Sequence, residues 1–181
     1  MTTHRDHITI FEARLNIGKI ADALCVSEEV ALAEMRDARV ASRWAEHWGA
    51  QVEAMVKSVN TNEPGHDISG QAGSSNILVS NKCLTKNGVR FQDSRFIGSG
   101  RHCTVEDVKS SLDAVELVQV VDISQIPLVL ITMVHSRYLR AEIHAGRLGC
   151  NGWKASAFYG FVERTYDHNI QHITLAGVPV A

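Results

Sequence analysis

Two runs rich in β-branched and apolar residues, 115–123 and 128–134, are separated only by Ser124, Gln125, Ile126 and Pro127. Proline has a fixed φ and no N–H, so the junction is a turn and each run reads as a buried strand. A chain holding two such adjacent strands has to build a sheet and cover it. The 181 residues, 45 % of them hydrophobic and 21 % charged, supply one domain's worth of core. Their mean hydropathy of −0.06 and net charge of −2 exclude a disordered chain. The longest apolar stretch, 126–134, is interrupted by Pro127 and Thr132 and is too short to cross a bilayer. The N-terminus, Met1-Thr-Thr-His-Arg-Asp-His, is polar and lacks an apolar signal core, so the expected location is cytoplasmic.

Upstream of the two strands the pattern differs. Residues 8–59 place apolar side chains three and four apart, contain no Pro, and read as two or three helices. Ser27 before Glu28 and Glu29 suits a helix start, because its hydroxyl caps a free N–H and acids favour the positive end. The segment 17–30 is similar to a helix-turn-helix. Glu28 and Glu29 would repel phosphate at the start of its second helix, so packing is the expected role. Residues 59–77 turn to Asn, Gly, Ser, Pro and His, which is loop chemistry. Residues 76–84 then read as a strand, with Asn87-Gly88 turning it into a hairpin with 89–91. Thr104-Val-Glu-Asp opens a helix to about Leu112 in the manner of a capping box. Residues 136–143 extend the second strand or form a short helix, and 155–166 read as a last helix. The expected class is α/β or α+β in a single domain spanning 1–181, with a helical N-terminal segment over 1–59, a core over 60–166 and a tail over 167–181.

The chemistry concentrates on Asp67, in a loop or at a strand edge, and Lys82 near the end of the following strand. A carboxylate positions a divalent cation, and a nearby ammonium orients or deprotonates a water and offsets phosphate charge. With Glu46 in Ser42-Arg-Trp-Ala-Glu-His-Trp, His66-Asp67 and Ser80-Asn81-Lys82, the chain resembles the PD-(D/E)XK superfamily of restriction-endonuclease-like nucleases. That family pattern is a helix with an acid, an Asp on a core strand, an acid-x-Lys on the next, then a helix and a strand. The likeness runs from about Val40 to Tyr166 and includes the strand, proline turn and strand of 120–131. His66 stands where the family has Pro, and Ser80 where it has the second acid. The resemblance implies a mixed central sheet flanked by helices. It also implies a type II restriction-like deoxyribonuclease using Mg²⁺ or Mn²⁺ on double-stranded DNA, as a homodimer with one site per strand. Asp67 and Glu46 would hold the metal, and Lys82 would activate or orient the water.

Between Lys82 and Lys109 six cationic residues face three acids, a local excess of three in a chain that is net acidic. Lys86, Arg90, Arg95 and Arg101 are the expected phosphate contacts, Arg101 beside Gly98 and Gly100 ahead of a helix start. His168 and His172 are four apart but lack a third ligand or an intervening Glu, so they read as surface residues. Trp44 and Trp48, also four apart, read as a packed helix face. Cys25, Cys83, Cys103 and Cys150 are scattered and read as buried thiols. No nucleophile elbow, P-loop or dinucleotide fingerprint is present. Two other readings remain: a catalytically silent DNA-binding or regulatory protein of the same fold, and an α/β protein binding a small molecule or protein partner.

Overall fold

The computed structural model describes residues 7–52, 56–57, 67–72, 75–93, 102–167 and 169–175. Seven strands form one mixed sheet. They are β1 (Ile8–Arg14), β2 (Val56–Lys57), β3 (Ile68–Ala72), β4 (Ser75–Leu84), β5 (Leu117–Asp122), β6 (Leu128–His135) and β7 (Ile170–Thr174). In space the order is β2-β3-β4-β5-β6-β1-β7. Strands β2 to β4 form an antiparallel meander, and β5 lies parallel to β4. A parallel neighbour demands a crossover, which carries helix α4 (Val105–Asp113). Strand β6 returns antiparallel to β5, β1 pairs antiparallel with β6, and β7 closes the far edge parallel to β1.

Helices cover both faces. On one, α1 (Ile17–Leu24), α2 (Glu28–Met35) and α3 (Ala38–Val52) pack Ala41, Ala45 and Trp48 against Val121, Val129 and Ile131. On the other, α4, α5 (Ser136–His144) and α6 (Ala155–Tyr166) pack Val108, Leu139 and Phe161 against Val118, Val120 and Val134. The class is therefore α/β, with a mixed central sheet flanked by helices. Among the described residues no helix is long and apolar enough to cross a membrane.

Several local expectations hold in atomic detail. Ser27 Oγ accepts the Val30 N–H at 3.3 Å and starts α2. Thr104 Oγ1 accepts the Asp107 N–H at 3.2 Å, while Asp107 Oδ2 accepts the Thr104 N–H at 2.7 Å, completing the capping box of α4. Both central strands lie where the β-branched runs stand, and α6 spans 155–166 as expected. Trp44 and Trp48 meet edge to face with centroids 5.2 Å apart, Trp48 within the core. The undecided segment after β6 is helix α5.

Other expectations are corrected. Residues 8–14 are strand β1, not helix. Ile8 and Ile10 face one core while Phe11 and Ala13 face the other. A strand buried on both sides loses strict alternation and mimics helical spacing. Val56 and Lys57, expected within the helical N-terminal segment, form the short strand β2. Ile68–Ala72, read as loop because of its Ser and Gly, is β3, and it rather than 89–91 is the hairpin partner of β4. The Asn87-Gly88 turn does form, with Gly88 N donating to Thr85 O at 2.9 Å, but Val89 then bridges to Trp153. Within the expected tail, 170–174 is edge strand β7, whose Ile170 and Ile173 are spaced three apart rather than two.

A polar network ties α3 to the sheet. Gln119, fully buried on β5, donates Nε2 to Asn81 Oδ1 at 2.9 Å and to Ala45 O at 3.0 Å. Asn81 Nδ2 donates to Ser42 O at 3.4 Å. Carbonyls within α3 thus accept from sheet amides inside an otherwise apolar interface.

Candidate active site

Strand alternation divides β4. Val79, Asn81 and Cys83 face α3, where Cys83 Sγ lies 3.8 Å from Ala38 O. Ser80, Lys82 and Leu84 face the opposite side, where Leu84 joins the α4–α6 core. Ile68 pairs with Val79, which sets Asp67 beside Ser80. Asp67 N–H donates to Val79 O at 2.9 Å. Its carboxylate Oδ2 accepts the Asn81 N–H at 2.6 Å and the Ser80 hydroxyl at 3.3 Å. A side chain therefore occupies the place where a strand carbonyl would otherwise accept from Asn81.

Lys82 lies two residues along the same face as Ser80 and is partly buried. Its Nζ donates to Gln92 O at 3.2 Å. The segment 89–93 carries that carbonyl under β4, anchored by the reciprocal bonds Val89 N to Trp153 O at 2.8 Å and Trp153 N to Val89 O at 2.9 Å. Burial holds the Lys82 ammonium below the usual lysine range, opposed by the carboxylates of Asp67 and Asp93. The neutral amine is thereby more accessible than in an ordinary lysine. Cys83, behind the strand, is pushed up to about 12, first by burial and then by the Glu46 carboxylate, with a smaller contribution from Asp67.

The expected site residues are thus divided. Asp67 and Ser80 come together at the end of the β3–β4 ladder, and Lys82 lies two residues further along the same face, within the electrostatic influence of the Asp67 carboxylate. Glu46 lies on α3, which packs against the other face of β4. Lys86 and Arg90 are exposed at and after the turn that follows β4. Arg95 and Arg101 lie outside the described residues, as do His66, Gly98, Gly100 and His168. Asp93 and Gln92 belong to the same neighbourhood, yet nothing in the sequence marks them. Only the Asn87-Gly88 turn, which brings the chain back toward Lys82, hints that residues just beyond it matter.

The donor set bears on whether a cation fits. Among the described residues no group of three His, Cys, Asp or Glu side chains is placed to hold an ion. Asp67 provides one carboxylate, with Oδ2 committed to two donors and Oδ1 without a hydrogen-bond partner among the described residues. Mg²⁺ keeps several waters and is often bound by one or two carboxylates together with substrate phosphate. Asp67 fits that minimal arrangement and would bind a cation weakly in the absence of phosphate. Comparison with protein-family models, with curated proteins and with solved structures returned no match.

Proposed function

We propose that this chain is a divalent-metal-dependent endonuclease that hydrolyses phosphodiester bonds of double-stranded DNA at Asp67 and Lys82. The observation that carries the reading is the placement of Asp67 at the head of β3 against Ser80 of β4, with the desolvated amine of Lys82 on the same face of β4 and under the electrostatic influence of that carboxylate. The succession also agrees with the resemblance: α3 with Glu46, Asp67 at the head of β3, Ser80-Asn81-Lys82 on β4, then α4 and β5.

Asp67 would hold Mg²⁺ or Mn²⁺, which when bound supplies charge neutralisation at the phosphate. The chain's own groups do the rest. Asn81 and Ser80 fix the Asp67 carboxylate in one orientation. Gln92 O directs Lys82 Nζ. The neutral amine of Lys82 takes a proton from the attacking water as its oxygen bonds phosphorus. The bridging P–O bond then breaks, leaving a phosphate monoester and a hydroxyl terminus. Arg90 and Lys86, with Arg95 and Arg101, meet neighbouring phosphates, a contact that positions the duplex without reading sequence. Two copies, one per strand, would make a double-strand cut, acting in the cytoplasm.

The test is incubation of plasmid and phage DNA, modified and unmodified, with Mg²⁺, Mn²⁺ or chelator. Discrete fragments formed only with cation support the reading. Salt-sensitive binding without cleavage would favour the silent DNA-binding reading, to which the Ser80 position gives specific support. Neither cleavage nor binding at low salt overturns both.

Ser80 also makes the metal requirement testable by gain of function. Ser80→Asp replaces a hydroxyl donor to Asp67 with a second carboxylate, so the two anions repel until a cation arrives. The variant is expected to melt below the parent in chelator and to gain more than the parent on adding Mg²⁺, because binding to the native state alone stabilises it. Thermal unfolding with and without Mg²⁺ reads this out. An equal Mg²⁺ response in both proteins would remove Asp67 from the metal site.

A further inference from the structure

Helix α6 packs over β6, β1 and β7 without filling all the space beneath it. A cavity of about 250 Å³ remains, lined by the aliphatic side chains of Ile10, Leu130, Val162 and Ile170 and by the polar ones of Tyr159, Glu163 and His172. Tyr159, Val162 and Glu163 share one face of α6, three and four positions apart. His172 pairs with Ile10 across the β7–β1 ladder, and Ile170 precedes it by two on the same face. Val162 and Ile10 are buried while Glu163 and His172 are exposed, so the apolar end lies inward and the polar end meets solvent. Strand β5 separates β6, β1 and β7 from β3 and β4, so the cavity stands apart from Asp67 and Lys82.

The polar groups around this space are rich in acceptors and poor in donors. Tyr159 donates its O–H to Asp122 Oδ2 at 2.8 Å. Burial, with the Asp122 carboxylate, raises the phenol above the usual tyrosine range, so its proton stays in that bond. Only the lone pairs of the phenol oxygen are left for a ligand. Asp122, 4 % exposed, accepts the Ser124 N–H at 2.8 Å on its other oxygen, so the donors that satisfy it are neutral. Among the described residues neither Asp122 nor Glu163 forms an ion pair, and no Lys or Arg lines the cavity. We propose that this cavity binds a small organic cation, an ammonium on an aryl or short alkyl body. The volume lies below that of drug-sized sites, which limits the ligand to about ten non-hydrogen atoms. The ammonium donates to the Glu163 carboxylate and the Tyr159 oxygen, while the body takes apolar surface of Ile10, Leu130, Val162 and Ile170 out of water. An anionic ligand of the same shape would face two carboxylates, with His172 as its one side-chain donor in the lining.

The test titrates the isotope-labelled whole protein with phenethylamine and follows its backbone amide shifts, with phenethyl alcohol and phenylacetate as neutral and anionic counterparts. The expected result is saturable shifts centred on the lining residues of α6 and β7, with the amine preferred over the alcohol by about tenfold and the acid weakest. Glu163→Gln, an exposed substitution that leaves the fold intact, should weaken the amine by about tenfold and leave the alcohol unchanged. Ile170→Phe, which fills the cavity, should weaken both. Shifts that fail to saturate or lie elsewhere, an acid that binds as well as the amine, or a Glu163→Gln protein that holds the amine as the parent does would overturn the proposal. The shifts are read without DNA, so the result stands apart from the nuclease reading.

Discussion

Lys82→Met is expected to lower single-turnover DNA cleavage by about 10²–10⁴-fold, the usual contribution of a positioned acid–base group, with duplex affinity unchanged. Methionine keeps the length and apolar stem of lysine while removing the amine. The loss therefore reports the proton-accepting nitrogen rather than a cavity. In the parent protein cleavage should rise with pH to a plateau reached below the ordinary lysine range, because burial favours the neutral amine. The stability profile carries a second signature. A native pKa below the unfolded one means that, between the two, the unfolded chain binds more protons, so stability rises with pH across that window. Lys82→Met should lack the rise, which urea unfolding at a series of pH values would detect. Cleavage by the variant at the parental rate would exclude Lys82 from the chemistry.

Gly152→Ala is expected to cost about 3–5 kcal/mol, combining left-handed backbone strain with the loss of two hydrogen bonds. Gly152 has φ +67°, and a Cβ built there would overlap the Val89 carbonyl oxygen. That oxygen accepts from Trp153 N, and Val89 N donates back to Trp153 O, so an intruding carbon opens both bonds together. Gly152→Asn separates the causes: asparagine tolerates positive φ but carries the same Cβ, so it should destabilise less than alanine while still losing both hydrogen bonds. Cleavage should fall as well, since segment 89–93 carries the carbonyl that holds Lys82. Chemical unfolding checks the first effect. A change under about 1 kcal/mol would show that the bridge yields easily.

What was legible in the sequence follows from how each element is buried. The helix starts at Ser27 and Thr104 were readable because capping is local, needing only a hydroxyl and an acid within one turn. β5 and β6 were readable because proline separates two β-branched runs. β1 was not, since burial on both faces removes the alternation that marks a strand. β3 was hidden by Ser and Gly, which the sheet accepts because Ile68 supplies a fully buried anchor. For the site, the spacing of Asp67 and Lys82 was visible, and the register that brings them together belongs to the β3–β4 ladder. Glu46 shows the limit: its place in the chain suggests an acid for that cluster, whereas α3 lies across the sheet.

The two hydrogen bonds that Asp67 accepts have a consequence for how its chemistry is inherited and lost. An exposed aspartate samples several rotamers, and whatever binds it must freeze them. Here Asn81 and Ser80 have already selected one orientation, so pre-organisation comes with folding rather than with the ligand. The same economy makes the arrangement conditional. A one-residue slip of β4 against β3 would bring Val79 or Asn81 beside Asp67 and turn Lys82 toward α3, dispersing every group at once. Strand register is thus the trait on which selection for this chemistry would act: substitutions far from Asp67 that loosen the pairing would silence it as surely as removal of the acid.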